Sequence, residues 1–416
     1  LAGQVVWAGP FTETTSVRRI GGKTGPKVQE RRYAISFAVA LCEGPISGVG
    51  RIWANGEVLD LSGVTMRLHT GGPAPDPDPL IASALGPQAP AWPDITYVVF
   101  EDLPLAGFGD RIPQLTFEVM RPAPDRPGLP GLASLARAVT LIPGSGEFAY
   151  ATTPVMRRER AGVETPENRH AGAGRTNLVV ALDQLEVALP KLEAVTLVSA
   201  WFGTDLRAGV CTLEPGVETS AKATRGAVWS AGGRTRDTAR VVTSSGGGPA
   251  YGGTPSDASL IESITEAKAP YPWRGRISCH PAPGVPGSPD GTAAAATQVA
   301  AFFGTCTAAH FAWSPLGVAY SGPPEWSFRR MVLHHAALAM AAGGVDTFVI
   351  GSELVGLTRV RGPSDSYPAV AALKALAAEA RAILGPSVKI TNAADWTENG
   401  AHVRGTDVDF PLDALW

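Results

Sequence analysis

The chain has 416 residues, which is too long for one ordinary domain, so two or more are expected. Its 35 Lys and Arg nearly balance 38 Asp and Glu for a net charge of −3, which argues against a nucleic-acid-binding surface as its main business. No apolar run reaches the roughly 18 residues of a membrane-spanning helix, and no basic-then-apolar signal segment opens the chain.

With 48 Gly and 36 Pro, many turns and long loops are expected. Cys42, Cys211, Cys279 and Cys306 are scattered without paired metal spacing and read as buried free thiols; no metal or cofactor is expected. The start at Leu1 and the stop at Trp416, inside a continuing α/β pattern, lead us to expect a piece of a longer protein.

Residues 1 to about 150 read as β-rich. A strand-like run covers residues 4–7, and the basic, Gly-containing residues 16–27 read as a mobile hairpin tip. From Arg32, apolar residues at Tyr33, Ile35, Phe37, Val39 and Leu41 alternate with small or polar ones, the period of a strand with one packed face. A second strand over 46–54 meets Asn55-Gly56, a strong hairpin signal. Further strands are expected at 95–100 and 115–120.

Residues 151–190 form a connector. A strand is expected near 148–156, the Arg157-Arg158-Glu159-Arg160 cluster reads as a solvated turn, and Leu178, Val179, Leu182, Leu185 and Leu189 mark one helix face. From 191 to 416 the pattern turns to βα alternation. Buried strands are predicted at 195–201, 347–350 and 388–393, and helices at 261–265, 292–303, 326–342 and 367–384.

These segments carry a resemblance. Leu41-Cys42-Glu43-Gly44-Pro45-Ile46 followed by Ile52-Trp53-Ala54-Asn55-Gly56 resembles the hub segment of siphophage tail-tip proteins. Phe100-Glu101-Asp102-Leu103-Pro104-Leu105 and Arg111-Ile112-Pro113-Gln114-Leu115 resemble the large baseplate ("megatron") protein of gene transfer agents and related siphophages. Trp201-Phe202-Gly203, the run from Tyr271 to Pro281, Ile350 to Leu354 and Ala393-Ala394-Asp395-Trp396 are similar to the glycoside-hydrolase TIM-barrel-like domain of that family.

The resemblance implies a multidomain chain. A β-rich tail-hub domain (1–150) and a connector with a helix (151–190) precede a TIM-barrel-like domain (191–416) that continues past the end. One barrel strand is expected to be shortened or missing between Thr265 and Tyr271. It also implies a homotrimer at the tail tip of a virion-like particle, with distal tail and hub proteins as partners and host-surface glycan as a further one.

Glycoside hydrolysis needs two carboxyl groups about 5–9.5 Å apart. Glu353, just past a strand, is the best acid, with Asp205, Asp395 or Glu398 as partners. Each of these also suits a loop or helix cap. Trp201, Trp273 and Trp396 could stack on sugar rings, though core positions are favoured. His334 and His335 point too far apart on a helix to share a metal and read as surface residues. A structural hub is therefore favoured over a tail-borne glycan hydrolase.

Overall fold

The computed structural model describes residues 1–19, 27–61, 63–121, 128–142, 146–170, 174–268, 274–279 and 287–415. They form two compact units: Leu1–Ala136 with the later part of a helix, Val180–Lys191, and Arg137–His170 with Leu192–Trp416.

The first unit is antiparallel. Strands β1 (Gln4–Arg19), β2 (Lys27–Glu43), β5 (Thr65–His69) and β6 (Ile95–Pro104) make a sheet of order β1-β2-β6-β5, while β3 (Gly48–Ala54), β4 (Glu57–Val58) and β7 (Leu115–Met120) make one of order β4-β3-β7. The alternating Ile35, Phe37, Val39 and Leu41 meet Val98 and Phe100 of β6, and Ile52 and Phe117 of the smaller sheet, in one buried cluster. The opposite face of β2 and β6 is also covered: Ala38, Tyr97 and Val99 pack against Ile81 of helix α1 (Pro79–Leu85). Asn55 and Gly56 take φ of +53° and +91° and turn β3 into β4, as that dipeptide favours.

Two expectations change here. β1 extends to Arg19 rather than stopping at Trp7, and residues 16–19 and 27 are ladder residues paired across the hairpin. β1 is an edge strand with most side chains exposed, so no apolar alternation announces it. Residues 20–26 of the expected tip lie outside the described residues.

The boundary between units falls at Ala136 rather than 150. After a single helical turn, α2 (Leu132–Leu135), strand β8 (Ala138–Leu141) pairs in parallel with β11 (Ala194–Ser199), and that pairing draws the chain into the second unit. The expected strand at 148–156 is instead irregular: Phe148, Tyr150, Ala151 and Val155 are buried, and Phe148 packs with Val217 and Trp229. The charged cluster is a strand, β9 (Met156–Arg160), held between β10 (Val163–Pro166) and residues 223–225. Helix α3 (Asn177–Ala188) lies where the leucine spacing placed it.

In the second unit five parallel strands run in the order β8, β11, Arg274–Cys279, Thr347–Ser352, Lys389–Ala393. Spatial neighbours are chain neighbours, the winding of a βα barrel and not of a doubly wound sheet. Among the described residues the strands form an open sheet, not a closed barrel. Helices α4 (Asp257–Glu266), α5 (Ala293–Phe303), α6 (Phe328–Ala341), the short α7 (Val355–Thr358) and α8 (Pro368–Leu384) lie in the connections. The Arg274–Cys279 strand pairs directly with β11 and with Thr347–Ser352, and residues 269–273, in the stretch where a strand was expected to be shortened or missing, lie outside the described residues. Cys211 and Cys306 are buried free thiols and Cys42 is partly buried.

Candidate functional site

Phe348, Val349 and Ile350 are buried, which fixes the Thr347–Ser352 strand in the sheet and presents its carboxyl end to the loops. There the chain turns sharply. Glu353 has φ of +55°, a left-handed conformation that costs a non-glycine residue about 1–2 kcal/mol. Its amide still reaches Ala393 O on the next strand, at 3.3 Å, and its side chain is exposed. Backbone strain and the carboxyl end of a barrel-type strand together make Glu353 a candidate position.

The segment after Glu353 is held by a buried acid. Leu354 N donates to Glu398 Oε2 and Thr358 Oγ1 donates to Glu398 Oε1, both at 3.1 Å, and Arg359 donates to Thr397 O. Burial raises the Glu398 pKa, against the bonds from Thr358 and Leu354. Glu398 therefore braces Glu353 from below.

Asp395 and Asp205 are engaged within their own turns. Asp395 Oδ1 accepts from Thr397 N and Oγ1, each at 2.6 Å, and from Glu398 N at 2.8 Å; these bonds, led by the Thr397 hydroxyl, lower its pKa. Asp205 grips Arg207 by Nη2 at 2.7 Å, Nε at 2.9 Å and the backbone N at 2.8 Å, which holds its carboxyl far below the usual range. Both follow the capping reading.

The aromatic and histidine candidates divide differently. Trp201 is buried against Trp326 at 5.5 Å and His334 at 5.4 Å, which excludes it from sugar stacking. Trp396 is 87% exposed, and Trp273 lies outside the described residues. His334 and His335 are buried, not on the helix surface, because α6 is apolar on nearly every side. His335 Nδ1 donates to Met331 O at 2.8 Å, which leaves Nε2 to accept from Ser199 Oγ at 2.9 Å. Burial, helped by the neighbouring His334, pushes its pKa down to about 4.

Local sequence does not mark Asp257 as anything but a helix-start acid after the Ser256 cap. In the structure its Oδ1 accepts from His334 Nε2 at 3.0 Å and its Oδ2 from Gly232 N at 3.0 Å. It borders a groove of about 570 Å³ between the 230–235 hairpin and the Phe311–Ser314/Gly317–Tyr320 hairpin, with Arg234 and Trp313 on its walls. Asp257 opens the helix after β11, so the groove lies on the side of the strands' carboxyl ends.

One further acidic group, Glu147, Glu167 and Glu218, brings three carboxylates within 4.8 Å of one another. Lys222 Nζ sits among them, 3.3, 2.9 and 2.5 Å from Glu147, Glu167 and Glu218, and Arg236 binds Glu147 at 2.6 Å.

Residues 326–416, which contain α6, Glu353, Asp395 and Glu398, match the family described as GTA TIM-barrel-like domain. Among solved structures, a chain of the "Virion of native gene transfer agent (GTA) particle" is 45% identical over 30% of this chain, with a TM-score of 0.24. The matched stretch spans 25% of that chain. No curated protein matches.

Proposed function

We propose that this chain is a structural component of a gene-transfer-agent-like particle, a tail-tip hub that joins the tail to host-contacting parts and helps DNA delivery. The GTA TIM-barrel-like match over residues 326–416 carries the reading. Two features support a structural role for the barrel-like unit. Asp205 and Asp395 are bound up in their own turns, and Glu398 is buried under the backbone, so Glu353 stands as the exposed acid among the four candidates. In the first unit, the edge strand β1 exposes Val5, Val6, Phe11 and Val17, a surface suited to self-association, as a trimer by resemblance, and to other tail proteins. The test is to label this chain and image purified particles. Label at the tail tip supports the reading, and label on the capsid, or particles lacking the chain, overturns it.

A second reading, a glycan hydrolase carried on the same particle, is favoured by one observation: the left-handed Glu353 at its strand's end. Glu353→Gln keeps the shape and removes the acid. Unchanged cleavage of peptidoglycan and capsule-type glycan supports the structural role; abolished cleavage with normal assembly establishes the hydrolase.

A further inference from the structure

We infer that the concavity at the β9–β10 hairpin is a binding site for a phosphate monoester, with no part in any chemistry at Glu353. Its volume of about 570 Å³ falls in the range of small-molecule sites. Arg158 and Arg160 of β9, Ala161 and Gly162 of the turn, and Glu164 of β10 line it.

The ladder brings the two arginines together. β10 pairs Val163 with Arg160 and Glu164 with Arg158, so Glu159 of β9 has no partner residue and forms a β-bulge. A bulge bends its strand and re-aims side chains, and here Arg158 and Arg160 face one space. That space stays open because Ala161 and Gly162 carry no side chain long enough to fill it.

The charges do not cancel. Glu164 is held by Arg225, which lies on the other side of β9, through Nη2 at 2.6 Å and Nε at 3.0 Å. Arg158 Nε is more distant from that carboxylate, at 3.5 Å. Arg160 is exposed, and among the described residues its side chain makes no ion pair or hydrogen bond. Arg158, Arg160 and Arg225 thus share the single carboxylate of Glu164, an excess of two positive charges.

That excess selects the ligand. A phosphate monoester carries a charge of about −1.5 to −2 at neutral pH and matches it. A carboxylate is planar and offers its two oxygens to one guanidinium fork. A tetrahedral phosphate presents three oxygens, so it serves two forks in different planes at once. A soluble ester and the headgroup of phosphatidic acid both offer this chemistry.

The test uses the purified full chain at constant ionic strength. Glycerol phosphate, malonate and a short oligothymidylate are titrated calorimetrically, and phosphatidic acid vesicles are tested by co-sedimentation. Saturable binding of glycerol phosphate is expected, with the dicarboxylate malonate about tenfold weaker. Arg158→Gln and Arg160→Gln should each weaken it about tenfold, and Arg160→Lys should recover only part, because an ammonium lacks the fork. Arg157→Gln should change nothing, since Arg157 pairs with Glu159 and lies outside the lining. Glu164→Gln should tighten binding several-fold by removing the one carboxylate of the lining, a gain that a misfolded variant cannot imitate. Vesicle capture that is lost in Arg160→Gln assigns the lipid headgroup as the source, and glycerol phosphate binding without capture assigns a soluble ester. The inference is overturned if neither binds, if malonate binds as tightly as glycerol phosphate, or if Arg157→Gln weakens binding as much as Arg160→Gln. Tighter binding of the oligothymidylate, whose diesters carry one charge each, would also overturn it. None of these outcomes bears on particle imaging or on glycan cleavage, so the site and the hub reading fail independently.

Discussion

The carboxylate of Glu398 holds the backbone N–H of Leu354 at 3.1 Å, across 44 residues of chain, and so fixes the residue that follows Glu353. Glu398→Ala would leave that buried amide without its acceptor, while the Thr358 hydroxyl keeps Leu354 O at 3.2 Å. We expect a loss of about 1–3 kcal/mol in chemical denaturation, the usual cost of an orphaned buried donor. Hydrogen exchange should rise over residues 353–359 and stay unchanged in the first unit; a uniform rise would show that the bracing is not local.

The left-handed Glu353 is a position where stability and side-chain chemistry conflict. Glu353→Gly removes the steric cost of the conformation but loosens the unfolded chain, for a net gain of about 0.5–1 kcal/mol. Glu353→Val should do the reverse. Equal stability of both variants would contradict the strain.

His335 should make the fold acid-sensitive. Its folded pKa of about 4 lies below its ordinary value of 6.5, so between those values the unfolded chain binds the proton more readily. Stability therefore falls as pH drops through that window, by about 3 kcal/mol for a fully buried group. In urea titrations from pH 7 to 4, the difference between wild type and His335→Gln should show this slope. Parallel curves would contradict it.

Gly351 and Asn392 form a tight pair on adjacent strands. A Cβ on Gly351 would lie 2.7 Å from Asn392 Oδ1, and the buried Asn392 amide has no hydrogen-bond partner. Gly351→Ala should cost about 1–3 kcal/mol, and Asn392→Ala should relieve most of that cost in a double-mutant cycle. Asn392→Leu alone should be neutral or stabilising, since it removes an unpaired polar group. Additive losses would mean the two side chains do not meet.

On β1, Phe11 is 58% exposed beside an edge unpaired among the described residues. Phe11→Lys should lower the oligomeric order of the chain in analytical ultracentrifugation without lowering its melting temperature, because a charge on an edge strand opposes pairing. A wild-type chain that is already monomeric at high concentration would remove the basis for this surface.

What the sequence makes legible here is whatever is decided by near neighbours. The alternation from Ile35 to Leu41 locates the core of the first unit, Asn55-Gly56 its tight turn, and Phe348 to Ile350 a buried parallel strand. β1 is legible only over residues 4–7, because an exposed edge strand has no buried face to write into the rest of the sequence. The basic run at β9 looks like a turn until Glu164 is seen to face Arg158 and Arg225 from neighbouring strands. Of the candidate site, Glu353 was found by its place after a strand, but the roles of Asp257 and Glu398 depend on partners 77 and 44 residues away. No local pattern records a pairing of that kind.

Lys222, enclosed by Glu147, Glu167 and Glu218, has a consequence for the medium in which the fold can persist. Three converging carboxylates are the oxygen-rich setting that hard divalent cations seek, and such sites empty when calcium is diluted or chelated. Here the counter-ion is tethered to the chain, so it cannot diffuse away. With Arg236 also on Glu147, two tethered cations face the three carboxylates, so the elements they tie together, from either side of β9 and from the insertion after β11, are held without calcium. That independence from the ionic composition of the surroundings is built into side chains of the protein itself.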